Sequence, residues 1–344
     1  MPTTNVSTIG STGDYSTLAL WEAGTDNNLV TGDVIERGEF QDEAHSVAAE
    51  VKIAGATVDA TRYRVITKVS GAASPGKTRG VANVISMSHR LRFEENYVQV
   101  IDLELDCSGS SAQAIQAFTG TGQTIKNVLC YDGPSSGIRS VLVTSLTLIN
   151  VAALNFASDD GFSIVSGSTG SALNCTALNN GSQGFSFASN GWALKNCSSF
   201  GNTTQAFIAP AGTSTVDNCA CDDTSITDDT PGGSGNVESL TYADQITTVT
   251  AGSEDFTPKS GAGILDVGQD LTSSGVTTDI AGLTRPQGTA FDIGAAELFV
   301  SPVGIAEGDL SSTISLTKTL TSTIQSTDAI PSPISSTISI SSPV

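Results

Sequence analysis

The stretch "LNCTALNNGSQGFSFASNGWALKNCSSFGNTTQAF", residues 173–207, contains two similar copies of one sequence pattern. The pair Asn174-Cys175 returns 22 residues later as Asn196-Cys197, and Gly184-Phe185 returns at the same spacing as Ala206-Phe207. A repeat of this length, built from short apolar runs and polar turns, predicts a solenoid in which each repeat buries its apolar face against the next.

Three series of residues extend this repeat in both directions and stay in phase. The first is Asp102, Asn127, Asn150, Asn174, Asn196 and Asn218, with steps of 25, 23, 24, 22 and 22 residues. The second is Ile115, Ile138, Phe162, Phe185 and Phe207. The third is Val100, Ile125, Leu148, Ala172, Leu194 and Val216, two residues before the first.

These series favour an all-β, right-handed parallel β-helix (a β-solenoid). The competing leucine-rich repeat needs an L-x-x-L-x-L pattern, which the sequence lacks. In a parallel β-helix each strand lies ~4.8 Å from its counterpart in the next coil, so like side chains stack on like. We divide the chain into an N-terminal cap (residues 1–30), the β-helix (31–300) and an extended Ser/Thr-rich tail (301–344).

The asparagine series is interpreted as a structural column at a bend. Strict alternation along "LKNCSSF" does not bury both Leu194 and Cys197, so the chain must turn near Asn196. We expect these amides to satisfy backbone groups of the adjacent coil that the turn leaves unpaired. A row of sugar-binding amides is the alternative.

The cysteines follow the same repeat. Cys175, Cys197 and Cys219 each come directly after an asparagine, where Val128 and Val151 stand in earlier coils. Thiols that replace valines indicate small buried hydrophobes. Free thiols are therefore favoured over cross-coil disulfides, and a zinc site is not expected because no C-x-x-C pair occurs and the chain has two histidines.

The composition and the net charge restrict the classes of partner that the chain can bind. The 344 residues carry a formal charge of −20, which repels nucleic acid and anionic membranes. No cofactor is expected, although such acidity could attract Ca²⁺. The start of the sequence, "MPTTNVSTIGSTGDYST", has no Sec-type pattern, and we expect a protein that either stays in the cytoplasm or leaves it by another route, such as lysis.

The two ends of the solenoid need covering. The segment "GDYSTLALWEAG" predicts a capping helix with Asp14 as its N-cap and Trp21 on its apolar face. Upstream strands are predicted at residues 51–53, 63–66, 84–87 and 97–105. After the acidic loop that begins at Asp222, we expect the coil pattern to resume near Leu240 and continue to Ile280.

The segment "DIAGLTRPQGTAFDIGAAELF" resembles the last coil of bacterial and phage right-handed β-helix proteins, of the pectate-lyase-like superfamily, which often reads D-x-x-G-x-x-R-P…D-I-G-A-x-E. The matching positions are Asp279, Gly282, Arg285, Pro286, Asp292, Ile293, Gly294, Ala295 and Glu297. The opening "DYSTLALWEA" is similar to the cap of phage-encoded members. The resemblance implies this fold, and Arg285 with Asp292 or Glu297 is interpreted as a closing ion pair.

The tail alternates Ser or Thr with isolated apolar residues and has too little apolar surface to fold alone. It suits strands that dock on another virion protein or on a copy of the same chain. The docking candidates are Ile314, Leu316, Leu320, Ile324, Ile338 and Ile340.

Catalysis has few candidates. They are Asp159-Asp160 with Arg139 one coil away, Asp132 near Asp106, and Asp222-Asp223. Related coils carry Ser or Gln at the position of Asp159-Asp160, which indicates a solvated turn, and Trp192 is the single tryptophan expected at the surface. We therefore assign no catalytic residue.

The function favoured by the sequence is a non-enzymatic structural protein of a bacteriophage virion, either a capsid decoration or head fibre, or a tail spike or fibre. The alternatives are a polysaccharide lyase or glycosidase (a tailspike depolymerase) and a bacterial surface adhesin. Cell-surface polysaccharide is a further candidate partner.

Overall fold

The structure is a computed structural model that describes residues 1–72, 75–80, 84–165, 167–208, 213–226 and 233–300. The strands, in chain order, are β1 (Thr3–Ile9), β2 (Val34–Phe40), β3 (His45–Val47), β4 (Val51–Ile53), β5 (Arg64–Lys68), β6 (Val84–Met87), β7 (Leu91–Phe93), β8 (Gln99–Asp106), β9 (Ile115–Ala117), β10 (Gly120–Thr121), β11 (Thr124–Tyr131), β12 (Ile138–Ser140), β13 (Val143–Thr144), β14 (Leu146–Ile149), β15 (Ala152–Leu154), β16 (Phe162–Ile164), β17 (Gly170–Leu173), β18 (Thr176–Leu178), β19 (Gln183–Phe187), β20 (Trp192–Lys195), β21 (Ser198–Phe200), β22 (Gln205–Ile208), β23 (Thr215–Asp217), β24 (Ala220–Cys221), β25 (Ile246–Thr248) and β26 (Asp255–Pro258). The helices are α1 (Leu18–Gly24), α2 (Leu29–Gly32), α3 (Tyr242–Gln245) and a 3₁₀ turn at Thr272–Ser274.

The strands form a parallel β-helix, which confirms the predicted solenoid. The first face runs in the order β1-β2-β5-β8-β11-β14-β17-β20-β23, and the third face runs β4-β7-β9-β12-β16-β19-β22. The second face consists of β3, β6, β15, β18, β21 and β24 with the C-terminal halves of β8 and β11. Pairing between coils is parallel, as the repeat predicts.

The bend between the first and second faces lies at the asparagine series. Strands β8 and β11 pass through this bend unbroken, whereas in later coils it separates β14 from β15 and β17 from β18. Asn127, Asn150, Asn174 and Asn196 have φ values of 51°, 51°, 51° and 54°, and Asn218 has 48°. Asparagine tolerates this left-handed conformation better than most residues, which explains why the series is made of asparagine.

The interior consists of columns of like residues. The ring centroids of Phe162 and Phe185 lie 4.5 Å apart and those of Phe185 and Phe207 4.9 Å apart, with the rings nearly parallel. The column from Val100 to Val216 is paired residue on residue through every coil. Residues that lie one repeat apart in the sequence are therefore in contact between neighbouring coils.

The N-terminal cap differs in detail from the prediction. Helix α1 begins at Leu18 with Thr17 as its N-cap, and the carboxylate of Asp14 instead accepts hydrogen bonds from the N–H and hydroxyl of Thr8 in β1. Trp21 is fully buried against Gly38, where a Cβ atom would lie 2.7 Å from the indole. The helix therefore covers the interior of the first coil with an indole ring.

The expectation that the coils resume after Leu240 is wrong. Strands β25 and β26 pair antiparallel with each other, and the segment from residue 241 to 298 packs along the outside of the second face. The reason is that this face has apolar residues pointing outward as well as inward, so it needs a second layer. The outward residues are Leu129, Tyr131, Ala152, Leu154, Leu178, Phe200 and Ala220, and they meet Ile246, Phe256, Ile264, Ile280, Ile293, Ala295 and Ala296.

Candidate functional site

The acidic pair Asp159-Asp160 holds a turn between coils. Asp159 Oδ2 accepts hydrogen bonds from the hydroxyls of Ser136 (2.8 Å) and Ser135 (3.3 Å). Asp160 Oδ1 accepts one from the backbone N–H of Gln183 (3.1 Å), one coil further on. Burial raises the pKa of Asp160 above its usual value. Both carboxylates are thus used to join successive coils, and neither forms an ion pair with the predicted neighbour Arg139.

The register places the second candidate pair close together, as predicted, because Asp106 lies opposite Tyr131 and Asp132 follows it, but each carboxylate has its own partner. Asp132 forms an ion pair with Arg79 and accepts a hydrogen bond from the amide of Asn155. Asp106 accepts a hydrogen bond from the backbone N–H of Ser108 (2.9 Å), which fixes a local turn. Both residues therefore have separate structural partners.

The third pair, Asp222-Asp223, closes the last coil. Asp222 Oδ2 accepts the N–H of Gly201 (2.7 Å) and Asp223 Oδ2 accepts the N–H of Ala206 (2.8 Å). In inner coils such edge N–H groups bond to the carbonyls of the following coil, so the carboxylates substitute for a missing coil. Although burial alone would raise the pKa of Asp223, hydrogen bonds from Ser225 and Ala206 lower it.

A buried charged network joins an early loop to the C-terminal segment, and sequence reasoning missed it. Arg79 pairs with Glu254 (2.6 Å) as well as with Asp132, and its guanidinium lies 4.8 Å from the centre of the Tyr131 ring. Lys77 pairs with Asp279 (2.9 Å). Glu254 and Asp279 are both fully buried. No periodic signal could have found these partners, because the residues belong to different parts of the chain with no common repeat.

The motif that carries the family resemblance forms a buried ion pair that also binds backbone carbonyls. Arg285 Nη1 donates to Glu297 Oε1 (2.7 Å), and the guanidinium also donates to the carbonyls of Asp292 and Gly294. The same two carbonyls accept hydrogen bonds from the amide of Asn174, each at 3.1 Å. The ion pair therefore shapes the C-terminal segment where it lies against the coils, and it does not close a final coil.

The asparagine column bonds partly to itself and partly to that segment. Asn127 donates to Asp102 (2.8 Å) and Asn150 donates to Asn127 (2.9 Å). Further along, Asn196 donates to the carbonyl of Gln269 and accepts its N–H, and Asn218 donates to the carbonyl of Val267. The expected backbone partners in the adjacent coil are thus replaced by the backbone of the C-terminal segment.

The six cysteines are free and buried. Cys175, Cys197 and Cys219 lie in one interior column with Val128 and Val151, as small apolar residues would. Burial raises the pKa of Cys130 strongly and that of Cys221 to about 12. Thiols held in the neutral form are poor nucleophiles, so Cys130 and Cys221 are not activated.

The expected surface position of Trp192 is wrong. Its side chain is buried in β20, next to Phe187, and the indole N–H donates to the carbonyl of Ser168 (2.9 Å). The alternation within β20 buries Trp192 on the same side of the strand as Leu194.

Outside the core, the third face presents one outward side chain per coil, and we name this set the outward column. It consists of Lys52, Arg92, Gln116, Arg139, Ser163 and Ser186, paired residue on residue between strands. Lys52 and Arg92 share the carboxylate of Glu94, and the Arg92 guanidinium lies 3.8 Å from the centre of the Phe118 ring. The column is thus a basic strip on a chain of opposite charge.

Within the described part of the chain, no group of three or more His, Cys, Asp or Glu side chains is arranged to hold a metal ion. In the same residues no helix is long and apolar enough to cross a membrane. The predicted tail residues Ile314, Leu316, Leu320, Ile324, Ile338 and Ile340 lie outside the described residues.

Comparison with known proteins gives a structural likeness and no match of family or of curated sequence. A scan against models of protein families and a search of curated proteins both find no match. Among solved structures, the chain is similar to the one titled "Crystal structure of pectate lyase Pel9A", with 14% sequence identity and a TM-score of 0.45. The match covers 83% of this chain and 91% of the other. The chain is an all-β parallel β-helix protein on the strength of its own strand register.

Proposed function

We propose that the chain is a non-enzymatic structural protein of a bacteriophage virion, in which the β-helix is a rigid rod anchored through residues 301–344. It would serve as a capsid decoration or head fibre, or as a tail spike or fibre. Its partners would be other virion proteins or copies of itself. The placement in a phage particle comes from the resemblance of the "DYSTLALWEA" and "RPQGTAFDIGAAE" segments to phage-encoded β-helix proteins.

One observation supports the structural role most directly. The acidic groups that the sequence offers for catalysis have their oxygens occupied by bonds that hold coils together. Asp159 and Asp160 join neighbouring coils, and Asp223 closes the last one. Glycosidases and lyases instead need carboxylates that face a substrate groove.

Two measurements test the proposal. Mass spectrometry of purified phage particles should find this chain at a fixed ratio to the major capsid or tail protein. Incubation of the full chain with uronate-containing and neutral capsular polysaccharides should give neither new absorbance at about 235 nm, the signal of an unsaturated lyase product, nor new reducing ends. Product formation by the full chain would instead establish the depolymerase alternative. Absence of the chain from the particles would refute the virion role.

A further inference from the structure

The sequence contains two Asn-Gly pairs, Asn180-Gly181 and Asn190-Gly191, and the fold gives them different surroundings. An Asn-Gly pair is prone to deamidation, because glycine has no side chain to hinder attack of its backbone nitrogen on the asparagine carboxamide. In a folded chain the reaction also requires that the carboxamide and the glycine N–H are not held by other groups, and that water reaches them.

The pair Asn180-Gly181 is held inside the coils. Asn180 is fully buried, and its Oδ1 accepts the N–H of Phe156 (3.1 Å). Its Nδ2 donates to the carbonyl of Ala153 (3.3 Å) and to Asn202 Oδ1 (2.9 Å). The Gly181 N–H donates to the carbonyl of Phe156 (2.7 Å). Four hydrogen bonds must therefore break before this pair can react.

The pair Asn190-Gly191 lies in the turn between β19 and β20, and both of its residues are exposed. Among the residues that the structure describes, neither the Asn190 carboxamide nor the Gly191 N–H has a hydrogen-bond partner. The turn itself requires the glycine, because Gly191 has φ of 80° and a Cβ atom there would lie 3.2 Å from Thr169 Cγ2. The fold therefore keeps a reactive pair at the surface of this turn.

We propose that Asn190-Gly191 is a modification site, at which Asn190 converts without an enzyme to aspartate and isoaspartate. The Gly191 nitrogen loses its proton to water or hydroxide and attacks Asn190 Cγ. The new N–Cγ bond closes a succinimide ring, and the Cγ–Nδ2 bond breaks and releases ammonia, which takes up a proton. Water then opens the ring at Cγ to give aspartate, or at the backbone carbonyl to give isoaspartate.

Both products change the turn. Each adds one negative charge to the formal charge of −20. Isoaspartate also inserts a methylene group into the main chain just before Gly191, next to the start of β20. At that position the Trp192 N–H donates to Ser214 Oγ (3.2 Å) and the indole N–H donates to the carbonyl of Ser168 (2.9 Å). This inference goes beyond the virion role and does not depend on it, because the reaction needs only the turn and water.

The test incubates the folded full chain at mildly alkaline pH and measures conversion at each pair by mass spectrometry. Digestion under acidic conditions with a protease that cleaves at phenylalanine separates the two pairs at Phe187. We expect Asn190 to convert at least about a hundredfold faster than Asn180, because four hydrogen bonds oppose reaction of the buried pair. A protein isoaspartate methyltransferase should methylate the incubated chain, and Asn190→Gln should remove most of that methylation.

The unfolded chain is the matched control. In strong denaturant the two pairs lose their different surroundings, so Asn180 and Asn190 should convert at similar rates. Three results would overturn the proposal. Asn190 could stay unconverted in the folded chain while it reacts in denaturant, Asn180 could convert as fast as Asn190 in the folded chain, or the two rates could differ as much in denaturant as in the folded chain.

Discussion

Replacing Asn196 by glycine and by alanine should separate two contributions that this residue makes. Its side chain is fully buried, donates to the Gln269 carbonyl (2.8 Å) and accepts the Gln269 N–H (2.7 Å). Its backbone has φ of 54°. Glycine keeps the backbone conformation and loses the amide, whereas alanine loses the amide and also strains the backbone.

The magnitudes follow from these contacts. The two hydrogen bonds with Gln269, at about 1 kcal/mol each, give about 2 kcal/mol for Asn196→Gly, and the long bond to Asn174 Oδ1 (3.4 Å) adds little. Because Gln269 is exposed, water can replace part of this loss, and we do not expect a larger value. The left-handed backbone adds about 1–2 kcal/mol for Asn196→Ala.

Hydrogen exchange read by mass spectrometry is the suitable assay, because it reports local opening of residues 264–271 separately from unfolding of the coils. A loss of about 2 kcal/mol corresponds to exchange roughly 30-fold faster in that segment for Asn196→Gly. The control is Asn127→Gly, whose amide bonds to Asp102 within the column and not to the C-terminal segment. If Asn196→Gly left exchange of residues 264–271 unchanged while that of β20 and β21 rose, the amide would serve the coils and the reasoning would be refuted.

Four further outcomes are expected. Phe185→Ala should cost about 3–5 kcal/mol in denaturant unfolding because it opens the stacked column, and Phe299→Ala, at a 61% exposed residue, should cost almost nothing. Arg285→Met should destabilise by about 3–5 kcal/mol because it leaves the buried carboxylate of Glu297 unpaired, and adding Glu297→Leu should recover much of that loss, a result that additive effects in the double variant would contradict. Burial raises the pKa of Asp160, so the contribution of this carboxyl to stability is fully present below the unfolded pKa and is lost as pH rises through the folded pKa. Asp160→Asn should therefore raise Tm at pH 7, and the gain should shrink towards pH 4. A gain in Tm that does not depend on pH would count against this. The six buried thiols should react with an aromatic disulfide reagent at the rate of unfolding, and rapid reaction of the native chain would show an open interior.

Sequence patterns predicted the coils well because the contacts are periodic. In a parallel β-helix, residues one repeat apart along the chain lie directly above one another, so the column of Phe162, Phe185 and Phe207 is visible as a spacing. The bend at Asn174 was visible for the same reason. Four early strands, β4, β5, β6 and β8, were also placed to within two residues, since short apolar runs bounded by turns indicate strands, whereas β1, β2, β3 and β7 were not predicted.

The same reasoning failed where partners share no repeat. The segment from residue 241 to 298 has strand-like apolar runs, but local pattern does not distinguish another coil from a layer on the outside. A clue lies in runs such as Leu129–Tyr131, which are apolar on both sides of the strand and need two covering layers.

The sequence by itself determined the solenoid, its period and the contents of its columns, because each coil repeats the same contact with the coil before it. Only the tertiary structure decided what the carboxylates do. Asp132 forms an ion pair with Arg79, and Asp279 forms one with Lys77, although the sequence repeat relates neither pair of residues.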